Sequence, residues 1–138
     1  MNVVVMDAQG GGMGKALIEQ LKRALPEQRV TAVGANALAT AAMVRAGADA
    51  GATGENAVCV CAASAELIIA PIGFVLADAM LGEITEKMAA AVGRSPAHKI
   101  LIPVSRCQVT VAGRPEMSTA EAVIAAVQEA VRRVRAGT

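Results

Sequence analysis

The sequence predicts an α/β fold of three layers, a doubly wound and mostly parallel sheet with helices on both faces and an antiparallel strand at one edge. Three observations carry this reading. Short apolar runs alternate with helix-length segments along the chain, the order that builds a parallel sheet through right-handed crossovers. Four glycines in five positions, Gly10, Gly11, Gly12 and Gly14, stand between the first apolar run and the first helical pattern. A composition 54% apolar and 18% charged over 138 residues suits one domain, 1–138, that buries about two-thirds of its unfolded surface without a metal or disulfide.

Val3 to Met6 is a continuous apolar run, as expected of a strand covered on both faces. Met13 to Leu25 repeats Leu17, Leu21 and Ala24/Leu25 at helical spacing, and Pro26 stops it. Arg29 to Val33 is a second strand, followed by Gly34-Ala35-Asn36. Ala37 to Ala46 is alanine-rich and closed by Gly47, a second helix. A short third strand near Ala48 to Ala52 then leads to a helix from Gly54 to Ala65 with Thr53 as its N-cap. The alternation of Val58 and Val60 with Cys59 and Cys61 also admits a strand there. However, only 62–66 would separate it from the next strand, Leu67 to Ala70, too few residues for a parallel crossover.

Pro71-Ile72-Gly73 begins a helical pattern that runs to Leu81 and breaks at Gly82, and Thr85 to Val92 reads as another helix. Lys99 to Val104 is the fifth strand. Gln108 to Ala112 alternates polar and apolar and predicts the antiparallel edge strand. Ser118 and Glu121 form a capping box opening a last helix, with Val123, Val127, Val131 and Val134 along one face.

Composition excludes several classes. A net charge of +1 leaves no nucleic-acid footprint. The most apolar stretch, 57–81, is interrupted by Glu66, Pro71, Gly73 and Asp78, so no membrane span is expected. Cys59, Cys61 and Cys107 form neither a CxxC pair nor an even set and read as reduced core residues of a cytoplasmic protein. With one histidine, His98, no His-rich metal site is expected.

The glycine turn carries the chemistry. Glycines let backbone N–H groups approach an anion without Cβ interference, and a helix starting there adds its positive dipole end. In a doubly wound sheet the loops leaving the carboxyl ends of the strands converge on one edge. Those loops are 8–14, 34–40, 51–56, 71–74 and 105–107, nearly all small or uncharged polar residues. The candidate ligand-binding residues are therefore Gln9, Gly10, Gly11, Gly12, Met13, Gly14, Lys15, Asn36, Thr53, Gly54, Glu55, Asn56 and Gly73. Lys15 is either a charge partner for the anion or a solvated helix lysine. Asp7, Thr53, Glu55 and Asn56 could converge on the turn, where Glu55 is either a general base or an ordinary acidic residue at a helix start.

The turn departs from the common signatures. No register meets GxGxxG. Positions 8, 12 and 14 resemble the GxxxGxG of short-chain dehydrogenases with Ala8 for the first glycine, but the chain has no tyrosine to donate their proton. Gly11 to Lys15 resembles the phosphate loop of ParA-like ATPases, but Ala16 stands where a Mg²⁺-binding Ser or Thr belongs. Gly34, Ala35 and Asn36 occupy the place of the ribose-binding acid of NAD sites. The cofactor therefore stays open, NAD(P) or another nucleotide.

As a whole the chain resembles a family of small bacterial proteins of unknown function. The shared motifs are Asp7 to Lys15, Asn36 to Thr40, Gly51 to Asn56, Pro71 to Gly73, Leu81 to Thr85 and Leu101 to Cys107, with Ala8 and Ser105 departing from the pattern. The resemblance implies a Rossmann-like cytoplasmic domain and no particular activity. Three readings follow: binding of a nucleotide, dinucleotide or other phosphate-bearing small molecule; a noncatalytic ligand-sensing module using the same cleft; or a structural oligomer whose glycines pack helix on sheet. The apolar helices around Leu76 to Met80 and Met88 to Val92 predict a symmetric homodimer.

Overall fold

A computed structural model describes residues 1–104 and 108–138. The five strands are β1 (Val3–Asp7), β2 (Val30–Gly34), β3 (Ala50–Thr53), β4 (Leu67–Pro71) and β5 (His98–Ile102). They form one all-parallel sheet in the order β3-β2-β1-β4-β5. The helices are α1 (Gly12–Ala24), α2 (Ala37–Arg45), α3 (Glu55–Ser64), α4 (Glu86–Arg94) and α5 (Thr119–Ala136). This is the Rossmann-like α/β arrangement that the alternation of strands and helices predicts.

Side-chain alternation along the strands sorts the core into two halves. Val3 and Val5 of β1 pack with Leu17, Ile18 and Leu21 of α1, Met43 of α2 and Val123 and Val127 of α5. Val4 and Met6 face the other way, onto Val58 and Ala62 of α3 and Met88 and Val92 of α4. The chain moves outward from β1 to β3 with α1 and α2 on one face, then crosses by α3 on the other face to β4. That reversal makes a crevice between the carboxyl ends of β1 and β4.

Several elements depart from the sequence reading. Residues Gln108 to Ala112 are irregular and exposed, so the sheet has no antiparallel edge strand among the described residues. Gln108 takes φ 52°, which turns the chain out of the extended direction, and alternation alone supplies no partner. The helical pattern after Pro71 gives a 3-10 helix, Ile72–Val75, followed by turns. Asp78, Met80 and Leu81 there are left-handed, with φ of 65°, 59° and 59°. Segment 54–65 is the helix α3, but its N-cap is Gly54, not Thr53. Thr53 instead ends β3, its hydroxyl 2.7 Å from that of Thr40.

Ser118 and Glu121 make the expected capping box of α5. The residues of α4 expected to be surplus, Met88, Ala89 and Val92, are buried in the core. Cys59 and Cys61 are free and half-buried; Cys107 lies outside the described residues. No described helix is long and apolar enough to cross a membrane.

Candidate functional site

Sequence forces the turn after β1 into a tight path. Gln9 at φ 51° and Gly11 at φ 76° are both left-handed, and a Cβ on Gly11 would lie 2.8 Å from the Ala39 backbone. Glycine alone satisfies both demands at position 11. Gly14 is buried against α2, where a Cβ would stand 2.5 Å from the Met43 sulfur. Gly10 and Gly12 are different, since nothing lies within 4 Å of a Cβ built on either. Two glycines of the turn are packing devices and two face open space.

No side chain at the N-cap of α1, Gly11, caps the helix. Asp7 does this work from the end of β1: its Oδ2 accepts the Gly14 N–H at 2.6 Å and its Oδ1 the Ala8 N–H at 2.8 Å. Asp7 is only 5% exposed. Burial pushes its carboxyl above the ordinary carboxylate value; the Gly14 and Ala8 N–H bonds pull it partly back, and nearby Glu83 pushes it up again. The Gly11 N–H is bonded to the Ala8 carbonyl and that of Lys15 to the Gly11 carbonyl. The N–H groups of Gly12 and Met13, in the first turn of α1, make no hydrogen bond among the described residues.

A second clamp holds the turn from outside. Glu83 Oε1 accepts both the Gln9 N–H and the Asn36 amide, each at 2.8 Å. The Asn36 amide also reaches the Gln9 carbonyl at 3.0 Å, and its Oδ1 caps α2 through the Ala39 N–H at 2.9 Å. Asn36, a sequence candidate for ligand contact, thus fastens the turn.

A cleft of about 1330 Å³ opens above the β1–β4 crevice. Asp7 to Met13 and Pro71 form its floor; Met80, Leu81, Val109, Val111, Arg114, Glu116 and Met117 are among the residues of its walls. Of the sequence candidates, Gln9, Gly10, Gly11, Gly12 and Met13 line it. Gly14 lies beneath the turn. Lys15 is exposed and outside the lining. Thr53, Gly54, Glu55 and Asn56 lie at the end of β3, two strands from β1, roughly 10 Å at ordinary strand spacing. There Glu55 accepts the Thr85 hydroxyl at 2.6 Å, tying α3 to the N-cap of α4. Gly73 is buried in the 3-10 helix.

Sequence reasoning missed Glu83, Met80, Leu81 and Arg114. The first three lie on or beside the shared Leu81 to Thr85 motif, which was a signal that function or geometry concentrates there. Arg114 carried no signal, because only the tertiary path of 108–117 brings it to the cleft.

The lining fits one part of a nucleotide and not another. Two open N–H groups at a helix start suit a phosphate or another compact anion. At the end of β2 the chain itself supplies no acid for a ribose: Gly34 is pressed against Thr40, and the carboxylate that reaches this place, Glu83, is engaged by the Gln9 N–H and the Asn36 amide. The sole aromatic residue, Phe74, is fully buried, so no ring is offered for base stacking. Among the described residues no group of three or more His, Cys, Asp or Glu could hold a metal.

No curated protein and no solved structure matches the chain. A family model described as Domain of unknown function (DUF3842) matches residues 2–135, nearly the whole chain, and the protein belongs to that family.

Proposed function

We propose that this protein binds a phosphorylated small molecule, a nucleotide, a dinucleotide or a smaller phosphate ester, with its phosphate on the N–H groups of Gly12 and Met13. One observation carries the reading: Gly12 opens onto the β1–β4 crevice with nothing within 4 Å of where a Cβ would be. The bonds from Asp7 and Glu83 fix the turn before any ligand arrives, so little ordering entropy is lost on binding.

Binding without chemistry is the form the site favours, as in a ligand-sensing module. Asp7 is committed to two backbone N–H groups, and the one histidine, His98, starts β5 at the opposite end of the sheet from the crevice.

A thermal-shift panel of NAD(H), NADP(H), ATP, GDP, coenzyme A and inorganic phosphate tests the reading. A ligand at 100 times Kd stabilises by about 2.7 kcal/mol. We expect a saturable rise in Tm with at least one of them, lost in Gly12→Val. No rise from any at millimolar concentration contradicts the reading, and turnover of a bound ligand contradicts the noncatalytic form.

A further inference from the structure

Leu81 is displayed on the cleft with its side chain in solvent, beside Met80, which packs in part against the core and also lines the cleft. Leu81 is fully exposed, at 101%, and it stands with Asp78 and Met80 in a left-handed conformation that non-glycine residues avoid. The loop is nevertheless held from several sides. The Asp78 N–H bonds the Ile84 carbonyl at 2.8 Å and the Gly82 N–H the Asp78 carbonyl at 3.1 Å, and Glu83 is anchored on Gln9 and Asn36. Ile84 is buried in the core. Strained residues persist where surrounding structure over-determines them, and such places cluster at ligand clamps.

The wall beyond this loop mixes aliphatic side chains with Gln108, Thr110, Arg114 and Glu116. Met13, Met80, Leu81, Val109, Val111 and Met117 all line the cleft. Val111 and Met117 also line an adjoining groove of about 460 Å³ between β5 and α5, which continues over Ile72, Ile100, Ile102 and Ala125. Apolar side chains therefore recur from beside the glycine turn to the β5–α5 groove, with Arg114 lining both cleft and groove. A compact polar sugar would leave that lining wet, and unbranched methylenes would cover it.

We infer that the ligand is a phosphate monoester of an aliphatic chain, its chain lying on the Met80–Leu81 lip and running toward the β5–α5 groove. The inference rests on the phosphate reading above and adds the chemistry of the ligand's other end. Asp7 already takes the Gly14 N–H, so the head group would rest on the Gly12 and Met13 N–H groups with Arg114 as the cation in the same cleft, and the chain would cover the apolar lining.

Isothermal titration of methyl, butyl and hexyl phosphate into wild type and Leu81→Ser tests this, with inorganic phosphate followed in parallel by the amide signals of Gly12 and Met13. We expect affinity to rise about two- to fourfold per methylene as chain is buried. Leu81→Ser should flatten that rise and leave the response to inorganic phosphate unchanged. Because Leu81 is exposed, the variant keeps its fold, checked by an unchanged Tm. Inorganic phosphate moving the Gly12 and Met13 amides with no gain from chain length overturns the aliphatic inference alone. Absence of any response at those amides overturns the phosphate reading, whatever the chain does.

Discussion

Asp7 Oδ2 accepts the Gly14 N–H at 2.6 Å and so joins the last residue of β1 to the first turn of α1. This bond sets the shape of the glycine turn, because α1 has no capping side chain at its own N-cap. Asp7→Asn keeps the volume and loses one acceptor, leaving a backbone N–H unpaired at a cost of about 1–3 kcal/mol. Burial raises the folded-state pKa of Asp7 from 3.8, so the folded protein holds this proton more tightly than the unfolded chain. The stability linked to that proton is fully present below 3.8 and is lost as pH rises through the raised folded value. Denaturant midpoints measured from pH 3.5 upward should show the deficit of Asp7→Asn narrowing as pH rises. A deficit that widens with pH would mean the carboxyl is held low instead.

The four glycines of the turn should separate into two pairs. Gly14→Ala places a methyl 2.5 Å from Met43 and 2.9 Å from the Asp7 Cβ, an overpacking cost of about 1–3 kcal/mol. Gly12→Val enters open space and should stay within about 0.5 kcal/mol of wild type, while losing the ligand response. Urea midpoints at unchanged m distinguish the two. A Gly12→Val protein as destabilised as Gly14→Ala would return the turn to a packing role.

Glu83 reaches from the Met80–Leu81 loop to the Gln9 N–H. Glu83→Ala should therefore speed hydrogen exchange at Gln9 and leave exchange in β1, at Val4 and Val5, as it was. Local opening of this kind leaves core protection intact. Equal acceleration in β1 would show that the clamp supports the whole fold.

The order of elements was legible because it rests on strong periodicity and punctuation. Val3 to Met6 runs into glycines, Pro26 stops α1, and Ser118 with Glu121 opens α5. The failures share a cause. At 74–81 the apolar pattern indicated helix, but helical propensity yields to a turn closed by bonds such as Asp78 N–H to the Ile84 carbonyl. At 108–112 alternation suggested a strand, and no local signal says whether a partner exists. In the site, the floor from Gln9 to Met13 was readable from the glycines. The lip and Arg114 were not, since their position depends on how 78–84 and 108–117 fold back. Strand order also explains why Thr53 to Asn56, on a loop that looked equivalent, sits two strands away.

The assembly remains a prediction with a changed basis. The face of α4 expected to pair two copies is inside the core, yet Leu38 and Val44 of α2 and Val60 of α3 are 65%, 43% and 60% exposed. These helices flank the edge strand β3, which carries only Ala-Gly-Ala-Thr. A homodimer burying that edge should appear in light scattering as twice the 13.9 kDa chain mass, and Val60→Glu should shift it to monomer. A constant 13.9 kDa mass across a hundredfold concentration range would exclude the dimer.

If the Gly12 and Met13 N–H groups receive a phosphate, an amide chemical-shift titration with inorganic phosphate reads those two groups directly. Saturable shifts are expected at Gly12 and Met13, with Gly14 little affected because its N–H is already bonded to Asp7. Shifts confined to the arginine-bearing end of α5, at Arg132, Arg133 and Arg135, or no shift at millimolar phosphate, would contradict it.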